Sequence, residues 1–131
     1  MAFDSENSSN FNEYNNNSVM IFFKESEFKM GGERVFDKMD KDFLVKLDEL
    51  RGYVGQPLII TSSYRSLEYN KAIGGAKRSM HMKGKAVDVV CLEGKFRRDI
   101  VHNALKLGLT CGIASNFIHL DDRYNQIIFT Y

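Results

Sequence analysis

Three residues of types that bind metal ions lie in or directly before two strand-like stretches of the chain: His81, Asp88 and His119. Asp88 lies in the apolar run AVDVVCL, where strand alternation places Val87 and Val89 on the face opposite to it. A carboxylate in such surroundings is costly without a partner. This run alone leaves three partners open: a basic side chain in a salt bridge, a cluster of backbone N–H groups, or a cation.

The positions of the two histidines favour the cation. His81 ends a long loop seven positions before Asp88, and Gly84 allows the chain to turn into the strand. In the run NFIHLDD, His119 shares its strand face with Asp121. Two imidazoles and one carboxylate form the ligand set of a catalytic zinc site whose fourth position is left to water. We therefore predict one Zn²⁺ per chain, held by His81, Asp88 and His119.

Several predicted elements must bring these residues together. A helix capped by Asp40 runs to about Val54, and a second amphipathic helix spans about residues 95–107, with His102 on its outer, solvated face. Residues 62–80 form a long loop with one helical turn after Ser66. The predicted strands are 19–23, 57–61, 85–92, 109–114, 117–121 and 126–130. This order predicts an α+β fold, an antiparallel sheet with helices packed on one side.

Composition limits the classes of partner. The 131 residues suffice for one domain, and a net charge of +1 gives no electrostatic reason to expect nucleic acid or an anionic membrane. Residues 1–17 are rich in Asn and Ser and predict a flexible tail before a domain at 18–131. Cys91 and Cys111 lie in apolar runs, which favours buried free thiols over a disulfide.

The longest apolar run, residues 19–23, is too short to span a bilayer, and no secretion leader precedes it. Synthesis in the cytoplasm, without membrane insertion, is the expectation, and a monomer is expected.

The run ITSSYRSLEYNKAIGGAKRSMHMKGKAVDV, followed later by FIHLDDR, resembles the zinc D-Ala-D-Ala peptidase family. That family includes D-Ala-D-Ala carboxypeptidases, vancomycin-resistance dipeptidases and phage L-alanyl-D-glutamate endopeptidases, and its metal-binding core is shared with the hedgehog signalling domain. The signature is Ser-x-His, Gly-x-Ala-x-Asp and a distant histidine, found here at Ser79, His81, Gly84, Ala86, Asp88 and His119. The resemblance covers about residues 23–124.

The resemblance implies a zinc metallopeptidase that hydrolyses a peptide bond in peptidoglycan stem peptides and acts on the cell wall. Together with the missing leader, it favours a phage lysis protein or a product exported with help. Arg65 would grip the substrate and stabilise developing negative charge; its alternative is a solvated loop arginine. Ser79 would hydrogen-bond the substrate, unless its hydroxyl only bonds the backbone of its own turn.

One departure from the family pattern concerns the general base. Many relatives carry an acidic residue three positions before the last zinc histidine, where this chain has Asn116. Asp121 would then take up the proton, with two alternatives: it orients His119, or it pairs with Arg123. If none of the carboxylates acts as a base, the chain is a non-catalytic, zinc-stabilised binding or structural module of the same fold.

Overall fold

A computed structural model describes residues 20–131, and the predicted tail at 1–17 lies outside the described residues. The helices in the described part are α1 (Lys41–Val54), α2 (Leu67–Ala72) and α3 (Gly94–Lys106). The strands are β1 (Lys29–Met30), β2 (Glu33–Arg34), β3 (Ile60–Ser62), β4 (Ala86–Val90), β5 (Thr110–Ile113), β6 (Phe117–Asp121) and β7 (Ile128–Thr130). None of the helices between residues 20 and 131 has the length and apolarity needed to cross a membrane.

The principal sheet has the strand order β3-β4-β6-β5-β7. Its first three pairings are antiparallel, whereas β5 and β7 run parallel. The α+β prediction is confirmed, but the sheet is mixed rather than wholly antiparallel. The reason is that β6 is already paired on both edges, so the chain reverses after it and adds β7 to the free edge of β5.

The core lies between α1, α3 and one face of this sheet. The Asp40 carboxylate accepts a hydrogen bond from the Phe43 backbone N–H at 3.0 Å, and Gly55, with a φ of 78°, ends α1 as predicted. The helices α1 and α3 turn apolar side chains to this face, and the buried side chains of the core include Phe43, Leu44, Leu47, Leu50, Val87, Val89, Ile100, Ala104, Ile118 and Leu120. Cys91 and Cys111 are buried free thiols, and His102 is exposed.

The strand predicted at residues 19–23 is absent over its described part, residues 20–23. Instead, the backbone N–H groups of Ile21, Phe22 and Phe23 donate hydrogen bonds of 2.8–3.1 Å to the buried carboxylate of Asp48 on α1. A side chain therefore satisfies the backbone donors that a neighbouring strand would otherwise accept.

Asp48→Asn is expected to lower the free energy of unfolding by about 1–3 kcal/mol, because the amide NH2 replaces one of the two acceptor oxygens and leaves at least one backbone N–H without an acceptor. Urea denaturation measures this loss. Glu49→Gln, on the exposed face of the same helix, is the matched control. Equal stability of the two variants would contradict the role of Asp48.

Candidate metal centre and active site

The face of the sheet opposite the core carries two of the three predicted ligands, and the third lies in a turn beside it. Alternation along β4 and β6 turns Asp88 and His119 to this face, and the register places the two residues directly opposite each other. His81 lies in a 3-10 turn, Met80–Lys83, immediately before β4. Gly84 ends this turn with a φ of 70°, and a Cβ there would collide with the Lys38 carbonyl oxygen.

The ligand atoms of His81, Asp88 and His119 all lie within 4.8 Å of one another. The Oδ1 atom of Asp88 is 3.3 Å from His81 Nε2 and 3.0 Å from His119 Nδ1. The two histidines are 2% and 6% exposed. The structure thus brings together all three residues predicted as metal ligands.

The second nitrogen of each ring shows why a cation fits between them. His81 Nδ1 is 2.7 Å from the carbonyl oxygen of Ser63, which can only accept, so this nitrogen carries the proton. His119 Nε2 likewise faces a carboxylate oxygen of Asp121 at 2.7 Å. Neutral rings therefore point two unprotonated nitrogens at one carboxylate oxygen. The lone pairs of these nitrogens and of the carboxylate oxygen repel one another unless a positive charge lies between them.

The pKa values of Asp88 and His119 also indicate that this site favours a bound positive charge. Burial opposes ionisation of Asp88, but the hydrogen bonds that His119 and His81 donate when a second proton binds to each ring outweigh it and hold the pKa below its usual range. Burial disfavours the charged form of His119, yet its contacts with Asp121 and Asp88 raise the pKa of the ring. The site therefore stabilises a cation, either a proton on the imidazole or a metal ion that displaces it.

Asp121 lies behind His119. It is fully buried, and Arg123 holds it through the backbone N–H and the guanidinium, the shortest contact being 2.6 Å from Nη2 to Oδ2. Burial raises the pKa of Asp121, but the bonds with His119 and Arg123 overcome it and lower the pKa to about 2. Both alternatives considered for Asp121, orientation of His119 and pairing with Arg123, are realised in the geometry.

Arg65 reaches the metal centre from the loop that follows β3. Its guanidinium is 3.4 Å from Asp88 Oδ2, and it also donates to Ser62 Oγ at 3.1 Å and to Asn70 Oδ1 at 3.2 Å. The side chain is 13% exposed, so Arg65 is not a solvated loop residue. Its backbone N–H also donates to the His81 carbonyl oxygen at 3.1 Å, which ties the two loops together.

Asn70 was not singled out by the sequence, although it fixes Arg65. This buried residue of α2 accepts from Arg65 and donates through Nδ2 to the Ala76 carbonyl oxygen at 2.8 Å. Gly75 is required beside it, because a Cβ there would collide with Asn70 Oδ1. Sequence alone carries no signal for this contact, since Asn70 stands in an ordinary polar helical turn.

Ser79 caps the 3-10 turn of His81. Its hydroxyl accepts a hydrogen bond from the His81 backbone N–H at 3.2 Å, so the turn-hydroxyl alternative is present. The residue also borders the cavity described below, and a contact with substrate stays a prediction.

The metal centre opens into a cavity of about 490 Å³. Arg65, Arg78 and Arg123 give the cavity a cationic lining, and the loop 73–80 forms one of its sides. Asp88 is the only carboxylate residue among the described residues that line it. Asn116 does not line the cavity and is exposed.

A further part of the wall is aromatic. Phe117, Phe129 and Tyr131 contribute it from the strands β6 and β7 and the residue that follows. These residues were not predicted as part of the site, because their position depends on the order of strands in the sheet, and the local sequence pattern does not give that order.

Two buried imidazoles and a carboxylate that converge on a cationic cavity form a candidate metal site of the kind found in metal-dependent hydrolases. Comparison with protein families agrees: a family model described as Peptidase M15 matches residues 21–121. The chain belongs to the Peptidase M15 family, and the predicted relation to the zinc D-Ala-D-Ala carboxypeptidases is confirmed. A comparison with curated proteins gives no match.

Proposed function

We propose that this protein is a zinc peptidase that hydrolyses a peptide bond in the stem peptides of bacterial peptidoglycan. The observation that carries the proposal is the buried His81, Asp88 and His119 cluster, whose outer nitrogens are fixed so that three ligand atoms face one point. Nitrogen and carboxylate ligands in this number suit zinc with one position left open. Its place of action would be the bacterial cell wall.

Each residue of the proposed site would have a separate role in hydrolysis. A zinc ion held by His81, Asp88 and His119 would supply a Lewis acid for the scissile carbonyl and a nucleophile at neutral pH. The Ser63 carbonyl oxygen and the Asp121 carboxylate hold the two imidazoles in the required tautomers. Arg65 would stabilise the negative charge that develops on the carbonyl oxygen, and its contact with the ligand Asp88 supports this role.

Mass spectrometry of purified peptidoglycan after incubation with the protein tests this function, with a chelator in a parallel sample. We expect new stem-peptide fragments that disappear on chelation. Loss of a terminal D-Ala would identify a carboxypeptidase, and cleavage after L-Ala an endopeptidase. Intact peptidoglycan in both samples, with metal present in the protein, would contradict the proposed activity.

A second candidate is a zinc-stabilised binding or structural module without turnover. It is favoured by two observations: apart from Asp88, no acidic side chain of the described residues lines the cavity, and position 116 is an asparagine. Binding of stem peptides without cleavage would distinguish this candidate from the peptidase.

Asp121→Asn is expected to weaken metal affinity by about 10–100-fold, with turnover restored by excess zinc, because the amide no longer fixes the His119 ring as the buried carboxylate does. Metal titration with and without added zinc measures both effects. The neighbouring variant Asp122→Asn removes an ion pair with Lys46 on α1 and serves as the control. Full metal occupancy combined with a 10²–10⁴-fold loss of turnover would instead identify Asp121 as the proton acceptor.

A further inference from the structure

Tyr131 is brought to the metal centre by the pairing of the last strand. Phe129 of β7 lies opposite Gly112 of β5, and Gly112 in turn lies opposite His119 of β6. The Tyr131 backbone N–H continues this pairing by donating to the Ile113 carbonyl oxygen at 3.2 Å. Alternation from Phe129 turns the Tyr131 side chain to the same face as His119.

Gly112 makes room for this arrangement. A Cβ at this position would collide with the Phe129 ring, which lies with its centroid 5.6 Å from that of His119. The Tyr131 ring then packs against Phe129 at 5.5 Å and against Phe117 at 4.9 Å, both centroid distances. Two neighbouring rings thus hold the phenol ring beside the metal centre.

The hydroxyl group of Tyr131 has no part in this packing. Within residues 20–131 it has no hydrogen-bond partner, and the residue is 67% exposed on the wall of the cavity. A phenylalanine would make the same ring contacts, so the fold itself does not explain the hydroxyl. A free donor on a fixed ring is suited to a ligand in the cavity.

The other polar groups around the cavity are largely engaged. Arg123 is bound to Asp121, and Arg65 is held by Ser62, Asn70 and Asp88. The Ser79 hydroxyl accepts from the His81 backbone N–H, and its own O–H donates to none of the described residues. Arg78 also has no partner among the described residues, but it lies exposed in a loop with no ring packing to fix it.

Partial burial of the phenol group, followed by the charge of the Asp88 carboxylate, raises the pKa of Tyr131. The phenol therefore keeps its proton at neutral pH and can act as a donor.

We propose that Tyr131 is a catalytic residue whose hydroxyl donates a hydrogen bond to the scissile carbonyl oxygen as that oxygen gains negative charge. This inference rests on the proposed peptidase function. The hydroxyl keeps its proton throughout, and its bond strengthens as charge develops, so it stabilises the transition state more than the bound substrate.

The test is Tyr131→Phe, which retains the ring and removes only the donor. We expect unchanged metal content and melting temperature, a fall in kcat of about 10–100-fold and a nearly constant KM, since the donor acts on the developing charge. Calorimetry with a phosphinate analogue of the cleaved dipeptide gives a second reading: its anionic tetrahedral group should bind the variant more weakly by a similar factor. Tyr124→Phe, at a residue that is 99% exposed, is the control.

Equal kcat and equal phosphinate affinity in the Tyr131→Phe variant and an active wild type would overturn this role alone. A rise in KM at constant kcat would also overturn it, because the hydroxyl would then bind the ground state and the transition state equally. A metal-loaded wild type that cleaves no stem peptide would contradict the proposed function, and the role of Tyr131 with it.

Discussion

Alanine in place of His81 is expected to remove the bound metal and to reduce peptidoglycan cleavage to background. Two protein ligands would remain, whereas catalytic zinc sites are held by three. The loss of metal affinity should exceed the ~100-fold that typically follows removal of a residue that only hydrogen-bonds to a metal ligand. Elemental analysis gives the metal content, and mass spectrometry of digested peptidoglycan gives the cleavage.

Thermal melting adds a reading that does not depend on substrate. Because metal binding adds to the free energy of folding, a chelator should lower the melting temperature of the wild type. The His81→Ala variant, which holds no metal to lose, should show no response to the chelator. His102→Ala, at the exposed histidine of α3, should behave as the wild type does. Full metal retention in the His81→Ala variant would contradict the assigned site.

Lysine in place of Arg65 is expected to preserve metal content and to lower kcat/KM by about 10²–10³-fold, the typical cost of one lost donor to a developing oxyanion. The guanidinium of Arg65 contacts Ser62, Asn70 and Asp88 at once through separate nitrogens. A lysine ammonium retains the charge but not the planar arrangement of donors, so it cannot hold this position while it faces the substrate.

The matched control is Arg98→Lys, because Arg98 pairs with Asp99 at the exposed surface of α3. That variant should retain wild-type kinetics. Metal content measured in both proteins separates a lost substrate contact from a disturbed metal centre, since Arg65 also touches a metal ligand. Wild-type kinetics in the Arg65→Lys variant would remove Arg65 from the catalytic site.

The sequence predicted the metal ligands because their signals are local. Strand alternation around Asp88 and His119, and a turn ended by Gly84, depend only on near neighbours in the chain. The same holds for the helix capped by Asp40, whose ends agree with the structure. The family signature added Arg65, which the structure places at the metal centre.

The geometry of the metal centre, in contrast, depends on which strands pair and in which register. The register of β4 with β6 sets Asp88 against His119, and long-range contacts decide which nitrogen of each imidazole faces the carboxylate. The same contacts place Asp121 behind His119 rather than in the cavity.

Long-range contacts also bring Asn70 and Tyr131 to the site, although both are distant in sequence from the residues they meet there. Asn70 meets Arg65 only because Gly75 lets the loop close over it, and Tyr131 reaches the cavity only because β7 adds to β5. Residue type and local alternation are properties of short segments, so they can be read directly from the order of residues. The pairing of distant strands and the partners of buried polar groups arise only when the whole chain packs, so the tertiary structure alone decided them.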